Sequence, residues 1–255
     1  MNVTVVQPDI IWENIEGNLS RLSELIKPLY GSTDIVVLPE MFTTGFTMNT
    51  AQMAEPKDGL TYKWMQKVSS DGDLAICGSY IVKESGCFYN RWNFVSPDNS
   101  VHYDKRHLFR MGNEETFFTG GKERVIFGFR GVRIMPSICY DLRFPVWSRN
   151  NGSYDLLINS ANWPDSRQMV WNTLLRARAI ENQCYVAASN RVGTDGKGIE
   201  YRGDSMILDP KGEVLAKGME NSECIFTFNI SMEELFSFRE KFPVLRDADD
   251  FIINL

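Results

Sequence analysis

Three residues whose types could break a carbon–nitrogen bond each follow an apolar run. Glu40 follows Ile35-Val36-Val37-Leu38-Pro39, Lys105 follows Val101-His102-Tyr103-Asp104, and Cys139 follows Ile134–Ile138. A thiol is a nucleophile, a carboxylate can remove its proton, and an ammonium can stabilise the oxyanion that its attack creates. Together they need no metal and no cofactor. Ligands of α/β sheets collect at the carboxyl ends of strands, so three strand-end groups are candidates for one site. Singly, each has an ordinary alternative. An apolar-flanked cysteine is more often a small core hydrophobe, a glutamate after a strand a solvated loop residue, and a lysine beside Arg106 surface charge. His107, two residues past Lys105, is expected to fix the loop by bonding a backbone group or carboxylate rather than to serve as base. His102 carries no such signal.

The elements that must position these groups are legible from periodicity. Ile15, Leu19, Leu22, Leu25, Ile26 and Leu29 recur at spacings of three and four, predicting a helix from Ile11 to Tyr30. The unbroken run Ile35-Val36-Val37-Leu38 predicts a strand buried on both faces. Leu74–Lys83 and Cys87–Ser96 flank Glu84-Ser85-Gly86 as a hairpin. Further strands are expected at Thr4–Gln7, Val101–Lys105, Val125–Phe129, Val132–Ile138, Leu156–Asn159, Tyr185–Ser189 and Cys224–Phe228. A hairpin is expected around Asp209-Pro210-Lys211-Gly212, joining Asp204–Leu208 to Glu213–Lys217. Helices are expected at Leu60–Val68, around Val146–Asn150, at Ser166–Asn182 with Ser166 or Asp165 as N-cap, and at Ser231–Lys241. Helices and strands alternate at both ends with hairpins between, which indicates an α/β protein.

The 255 residues, 43% hydrophobic, suffice for a large core, and no linker or low-complexity stretch divides them. One domain over residues 1–255 is therefore expected. The net charge of −6 argues against nucleic acid or an anionic membrane as the main partner. No apolar run approaches the ~18 residues of a spanning helix, and the first residues read as a strand rather than a signal peptide. Five scattered cysteines without a CxxC pair suggest free thiols in the cytoplasm, and two histidines without paired spacing suggest no zinc site.

Three segments, Leu38-Pro39-Glu40-Met41-Phe42, Tyr103-Asp104-Lys105-Arg106-His107-Leu108-Phe109 and Ile138-Cys139-Tyr140-Asp141-Leu142-Arg143-Phe144-Pro145, resemble in order the signature segments of the nitrilase (carbon–nitrogen hydrolase) superfamily. The resemblance extends to Ser160-Ala161-Asn162-Trp163-Pro164, to Arg176–Gln183 and to the Asp209–Gly212 turn. It is greatest to the omega-amidase, or 2-oxoacid amidase, branch. It implies a four-layer α-β-β-α sandwich, dimers or larger homo-oligomers formed across helices near the site, and a catalytic triad matched by Glu40, Lys105 and Cys139. A second glutamate is matched by Glu114, with Glu115 adjacent. The reaction implied is release of ammonia from the terminal amide of a small dicarboxylate monoamide, 2-oxoglutaramate or 2-oxosuccinamate, through a cysteine thioester. A carbamoylase or nitrilase with the same triad is the enzymatic alternative, and a silent interaction protein on this fold the non-enzymatic one.

Substrate contacts are expected from the backbone N–H of Tyr140 and from Trp163 and Phe42 as pocket walls. An arginine is expected to face the distal carboxylate, from among Arg143, Arg167, Arg176 and Arg178. Arg143 is expected rather to pair with Asp141 or another carboxylate near the turn after Cys139.

Overall fold

The structure, a computed structural model, describes residues 1–253. In chain order its strands are β1 (Asn2–Gln7), β2 (Ile35–Val37), β3 (Glu55–Pro56), β4 (Ala75–Glu84), β5 (Cys87–Val95), β6 (Ser100–Asp104), β7 (Phe127–Phe129), β8 (Val132–Ile138), β9 (Leu156–Ser160), β10 (Tyr185–Ser189), β11 (Val192–Thr194), β12 (Glu200–Arg202), β13 (Met206–Leu208), β14 (Val214–Lys217) and β15 (Cys224–Asn229). The helices are α1 (Ile15–Ile26), α2 (Thr50–Met53), α3 (Leu60–Gly72), α4 (Glu114–Phe117), α5 (Pro145–Ser148), α6 (Gln168–Asn182) and α7 (Met232–Lys241).

Two sheets face one another. The first runs β15-β1-β2-β4-β5-β6, with β3 pairing β4, and the second runs β14-β13-β10-β9-β8-β7. Strand alternation assigns side chains to layers. Val3, Val5, Ile35, Val37, Ala75, Cys77, Trp92 and Phe94 enter one core with Ile134, Leu156, Ile158 and Ala187 of the second sheet. Val6, Val36, Leu38, Ile76 and Val82 point the other way, onto Leu19, Leu22 and Ile26 of α1 and Met65 and Val68 of α3. Burying each α1 side chain contributes about 1.5–3 kcal/mol before entropy is counted. On the far side, Trp171, Leu175 and Ala179 of α6 complete the fourth layer. The α-β-β-α sandwich follows from this layering.

Two hydroxyls stitch the sheets at their strand ends. Ser160 Oγ donates to the Leu38 carbonyl at 2.7 Å and Ser189 Oγ to that of Val6 at 2.7 Å. The hairpin between β4 and β5 turns on Ser85 and Gly86, both at positive φ, as a two-residue turn requires. Pro136 is tolerated within β8 because β7 pairs only as far as Ile134, leaving one neighbour beside the proline.

Local differences from the sequence expectations have identifiable causes. The first helix begins at Ile15, capped by Asn14, because Asn18 ties both polar groups of Ile11 into the preceding loop. It ends in a 3₁₀ turn at Lys27–Leu29, where Pro28 removes a donor. Neither Asp165 nor Ser166 caps α6, since Asp165–Arg167 form a 3₁₀ turn and α6 starts at Gln168 without a side-chain cap. Ser231 does cap α7, accepting from Glu234 N–H. Among the described residues no helix is long and apolar enough to cross a membrane.

Candidate active site

Glu40, Lys105 and Cys139 each sit just past the end of a strand. Glu40 leaves β2 and is followed by Met41 at φ 42°, and Cys139 leaves β8 and itself adopts φ 42°. A non-glycine residue in that region is locally strained, and such strain is characteristic of nucleophiles exposed on a tight turn. Lys105 leaves β6. Its N–H bonds the Asn90 carbonyl at 3.0 Å and its carbonyl accepts from Gly121 N–H at 2.9 Å. A Cβ on Gly121 would lie 2.1 Å from the Asp104 carbonyl, so only glycine lets this strap approach. Glu114 opens α4 after Asn113 at φ 57°.

These turns bring four of the predicted residues together. Lys105 Nζ donates to Glu40 Oε1 at 2.7 Å and to Glu114 Oε2 and Oε1 at 2.9 and 3.1 Å. All three side chains are fully buried. Glu114 Oε2 also accepts from Phe109 N–H at 2.6 Å, and Glu40 Oε2 from Asn162 N–H at 2.9 Å. Asn162 additionally bonds the Glu40 carbonyl through its amide. Cys139 Sγ donates to the Asn162 carbonyl at 3.7 Å, and the Glu40 charge acts on the thiol. Glu115 is exposed, so of the adjacent pair it is Glu114 that joins the site.

Electrostatics follows from burial and charge. Desolvation acts most strongly on Lys105 and disfavours its charge, but the Glu114 and Glu40 carboxylates together outweigh it, raising its pKa above the ordinary lysine value. Burial, reinforced by the Glu40 charge, raises Glu114, while Lys105 and the Phe109 N–H oppose the rise. Burial and then Glu40 push the Cys139 thiol well above its ordinary value, with Lys105 only partly offsetting them. Both effects favour the neutral thiol over the thiolate.

A second network clamps the nucleophile turn. Asp141 accepts from Tyr103 Oη at 2.7 Å, His107 N–H at 2.9 Å and Ile138 N–H at 3.1 Å, and contacts His107 Nδ1 at 2.8 Å. The His107 ring stacks on Phe144 at 3.7 Å. His107 thus joins the lysine loop to the nucleophile turn through a carboxylate. Arg143 does not pair with Asp141, which is already occupied. Its guanidinium instead lies over Trp163, 5.0 Å from the ring centroid.

A cavity of about 420 Å³ opens above Cys139 and Lys105. Tyr140, Arg143, Asn162, Trp163 and Arg167 line it. Arg167 lies over the Phe109 ring, and neither it nor Arg143 has a carboxylate partner among the described residues. Arg176 and Arg178 lie elsewhere. Arg176 bonds the Gly212 carbonyl, and Arg178 is buried against Glu181 and the Leu142 carbonyl. Phe42 is not a wall. Reversal of the chain at Met41 turns it into the outer core against Trp64 and Tyr80. Phe46 takes that place, with Lys105 Nζ 5.2 Å from its ring. Sequence reasoning also missed Asn90, which sits in β5 beside two further polar residues, Arg91 and Asn93, and so gave no distinct signal, and Lys197 at the pocket wall.

The chain belongs to the carbon–nitrogen hydrolase family, whose model matches residues 2–240. It is 44% identical over 252 residues to the omega-amidase YafV of Escherichia coli K12, covering 98% of each chain. It is 34% identical to the 2-oxoglutaramate amidase of Bacillus subtilis over 96% of each. Among solved structures it resembles XC1258 of Xanthomonas campestris, a CN-hydrolase superfamily protein with an arsenic adduct in its active site. The TM-score is 0.97 and the identity 40%, over 100% of this chain and 99% of that one. Nit3 of Saccharomyces cerevisiae shares the fold, with a TM-score of 0.85 at 22% identity.

Proposed function

We propose that this hydrolase is an omega-amidase. It converts the terminal amide of a small dicarboxylate monoamide, 2-oxoglutaramate or 2-oxosuccinamate, to the acid and ammonia. The carrying observation is the pocket itself, where a neutral thiol beside a buried Glu40–Lys105–Glu114 group faces the unpaired guanidiniums of Arg143 and Arg167. A thiol in the pocket suits an amide carbon, and cations without a carboxylate partner lining the same pocket suit a carboxylate. The named relatives, an omega-amidase and a 2-oxoglutaramate amidase, point to the same chemistry.

In this reading Glu40 takes the Cys139 proton as sulfur attacks the amide carbon. The oxyanion forms against Lys105 and the Tyr140 N–H. Two of the three Lys105 contacts go to one Glu114 carboxylate, so one N–H can turn to the substrate oxygen while the other two keep both carboxylates. Glu40 returns the proton to the leaving nitrogen, and ammonia departs. Glu40 then deprotonates water, which opens the thioester on Cys139. Glu114 holds Lys105 charged and oriented.

Five free cysteines fit a reducing, cytoplasmic setting. Met169 and Ile180, exposed along α6, offer an apolar surface for a homodimer or higher homo-oligomer, which sedimentation would measure. The function is tested by ammonia release over a panel of dicarboxylate monoamides, neutral amides, N-carbamoyl compounds and nitriles. Turnover led by the monoamides is expected. Turnover confined to carbamoyl compounds or nitriles sinks the omega-amidase assignment.

A further inference from the structure

Asn90 lies in the middle of β5, 1% exposed and outside the three strand-end segments. Its Nδ2 donates to Glu40 Oε1 at 2.8 Å and to Glu114 Oε1 at 3.0 Å. The same two oxygens share Lys105 Nζ at 2.7 and 3.1 Å, which places them within 5.8 Å of each other. One ammonium thus faces two buried carboxylates, leaving an excess negative charge in a dry site. Such a pair relieves its repulsion by taking up a proton. A primary amide opposes this without titrating, since it offers one N–H to each carboxylate and has no proton to lose at these pH values.

The four carboxylate oxygens are not equally supplied with donors. Glu40 Oε1 holds two donors, from Lys105 and Asn90. Glu114 Oε1 holds the same two, and Glu114 Oε2 holds Lys105 and the Phe109 N–H. Glu40 Oε2 holds only the Asn162 N–H. With two lone-pair directions per oxygen, the acceptor position left open on the pair among the described residues is on Glu40 Oε2.

We propose that Asn90 is a positioning residue for the hydrolysis. It holds both carboxylates as acceptors around Lys105 and directs the Cys139 proton to Glu40 Oε2. The charged and titratable groups facing the pair are Lys105 from the end of β6 and Cys139 from the end of β8, while Asn162 and Phe109 present only N–H groups. The amide is among the contacts that restrain the upward shift of Glu114. The proposal rests on the Cys139 reading above.

The test measures the rate of carbamidomethylation of Cys139 by iodoacetamide against pH, followed by peptide mass in the wild type, Asn90→Leu and Asn90→Ser. In this reaction sulfur displaces iodide and the thiol proton passes to Glu40, so no amide hydrolysis is required. Loss of both donors is expected to move the acid limb of the profile to higher pH by about one unit in Asn90→Leu, and by less in Asn90→Ser. In monoamide hydrolysis kcat is expected to fall on the order of tenfold or more, with KM within about threefold. An acid limb within about 0.2 unit of wild type in the serine variant overturns the proposal, whatever happens to kcat, because a purely structural residue would not move it. The small polar serine keeps the test readable if the leucine variant does not fold. A wild type that alkylates but hydrolyses no monoamide refutes the substrate assignment alone.

Discussion

Replacing Lys105 with methionine should destabilise this protein in a way that depends on pH, and the structure gives the size. Methionine matches the length of the side chain but removes the only ammonium between two fully buried carboxylates. Breaking a buried ion pair by deleting one partner typically costs about 3–5 kcal/mol, because the remaining charge is stranded. For a chain of this length, 1 kcal/mol corresponds to a shift in Tm of about 2–4 °C, so a fall of about 6–20 °C is expected near pH 8. The sign of the pH dependence follows from Glu114. Its pKa is already raised by burial, against the pull of Lys105, and losing Lys105 raises it further. A carboxyl raised on folding is favoured in its neutral form. Its contribution is fully present below the unfolded value and lost as pH rises through the folded one. The Tm deficit should therefore be smallest near pH 5 and grow toward pH 8. Circular-dichroism melts of both proteins across that range are the assay. A variant within about 2 °C of wild type at pH 8, or a deficit that widens as pH falls, would refute the reasoning.

Cys139→Ala should keep the fold and Tm but abolish both turnover and the acyl-enzyme mass seen after rapid quenching. Glu40→Gln should fold and lose on the order of 10²-fold or more in kcat, as expected for a missing general base, and normal turnover would remove Glu40 from the mechanism. Arg143→Met should raise KM for a monoamide carrying a distal carboxylate by roughly 10–100-fold, the worth of one charge-assisted hydrogen bond, while leaving a neutral amide nearly unaffected. An equal loss on both substrates would place Arg143 outside carboxylate recognition. Gly121→Ala should impair activity and lower Tm, because the added Cβ collides with the Asp104 carbonyl beside Lys105, whereas Gly120→Ala should be mild, its Cβ meeting nothing nearer than 3.2 Å. Paired kinetics and melts separate the two.

The layers of the fold were readable because each inner strand writes its burial into alternation. Ile35-Val36-Val37-Leu38 does feed two different cores, as an apolar run buried on both faces must. The chemical groups at strand ends were readable because a polar residue after such a run has few places to go. What sequence could not carry was direction after a turn. Phe42 and Phe46 look equivalent in the segment after Glu40, yet the left-handed Met41 sends one beneath the helices and the other beneath Lys105. The expected Arg143–Asp141 pair does not form because Asp141 is claimed by Tyr103 and His107, both remote in sequence, and by the Ile138 N–H three residues before it. Asn90 passed unnoticed because an asparagine within a strand reads as solvent-facing until its burial is known. The cap of α6 failed because Pro164 starts a 3₁₀ turn where Asp165 or Ser166 would have capped.

The division of the site between the two sheets has a consequence for how the protein acquires its chemistry. Glu40, Asn90 and Lys105 extend from strands of one sheet, and Cys139 and Asn162 from strands of the other. Everything up to Gly121 leaves the ribosome with a base and a cation but no nucleophile. The later strands bring a thiol that has no base until the two faces dock. The chain is therefore inert until the two faces dock. Conversely, any partial opening that slides one face over the other should silence it while every helix and strand remains intact.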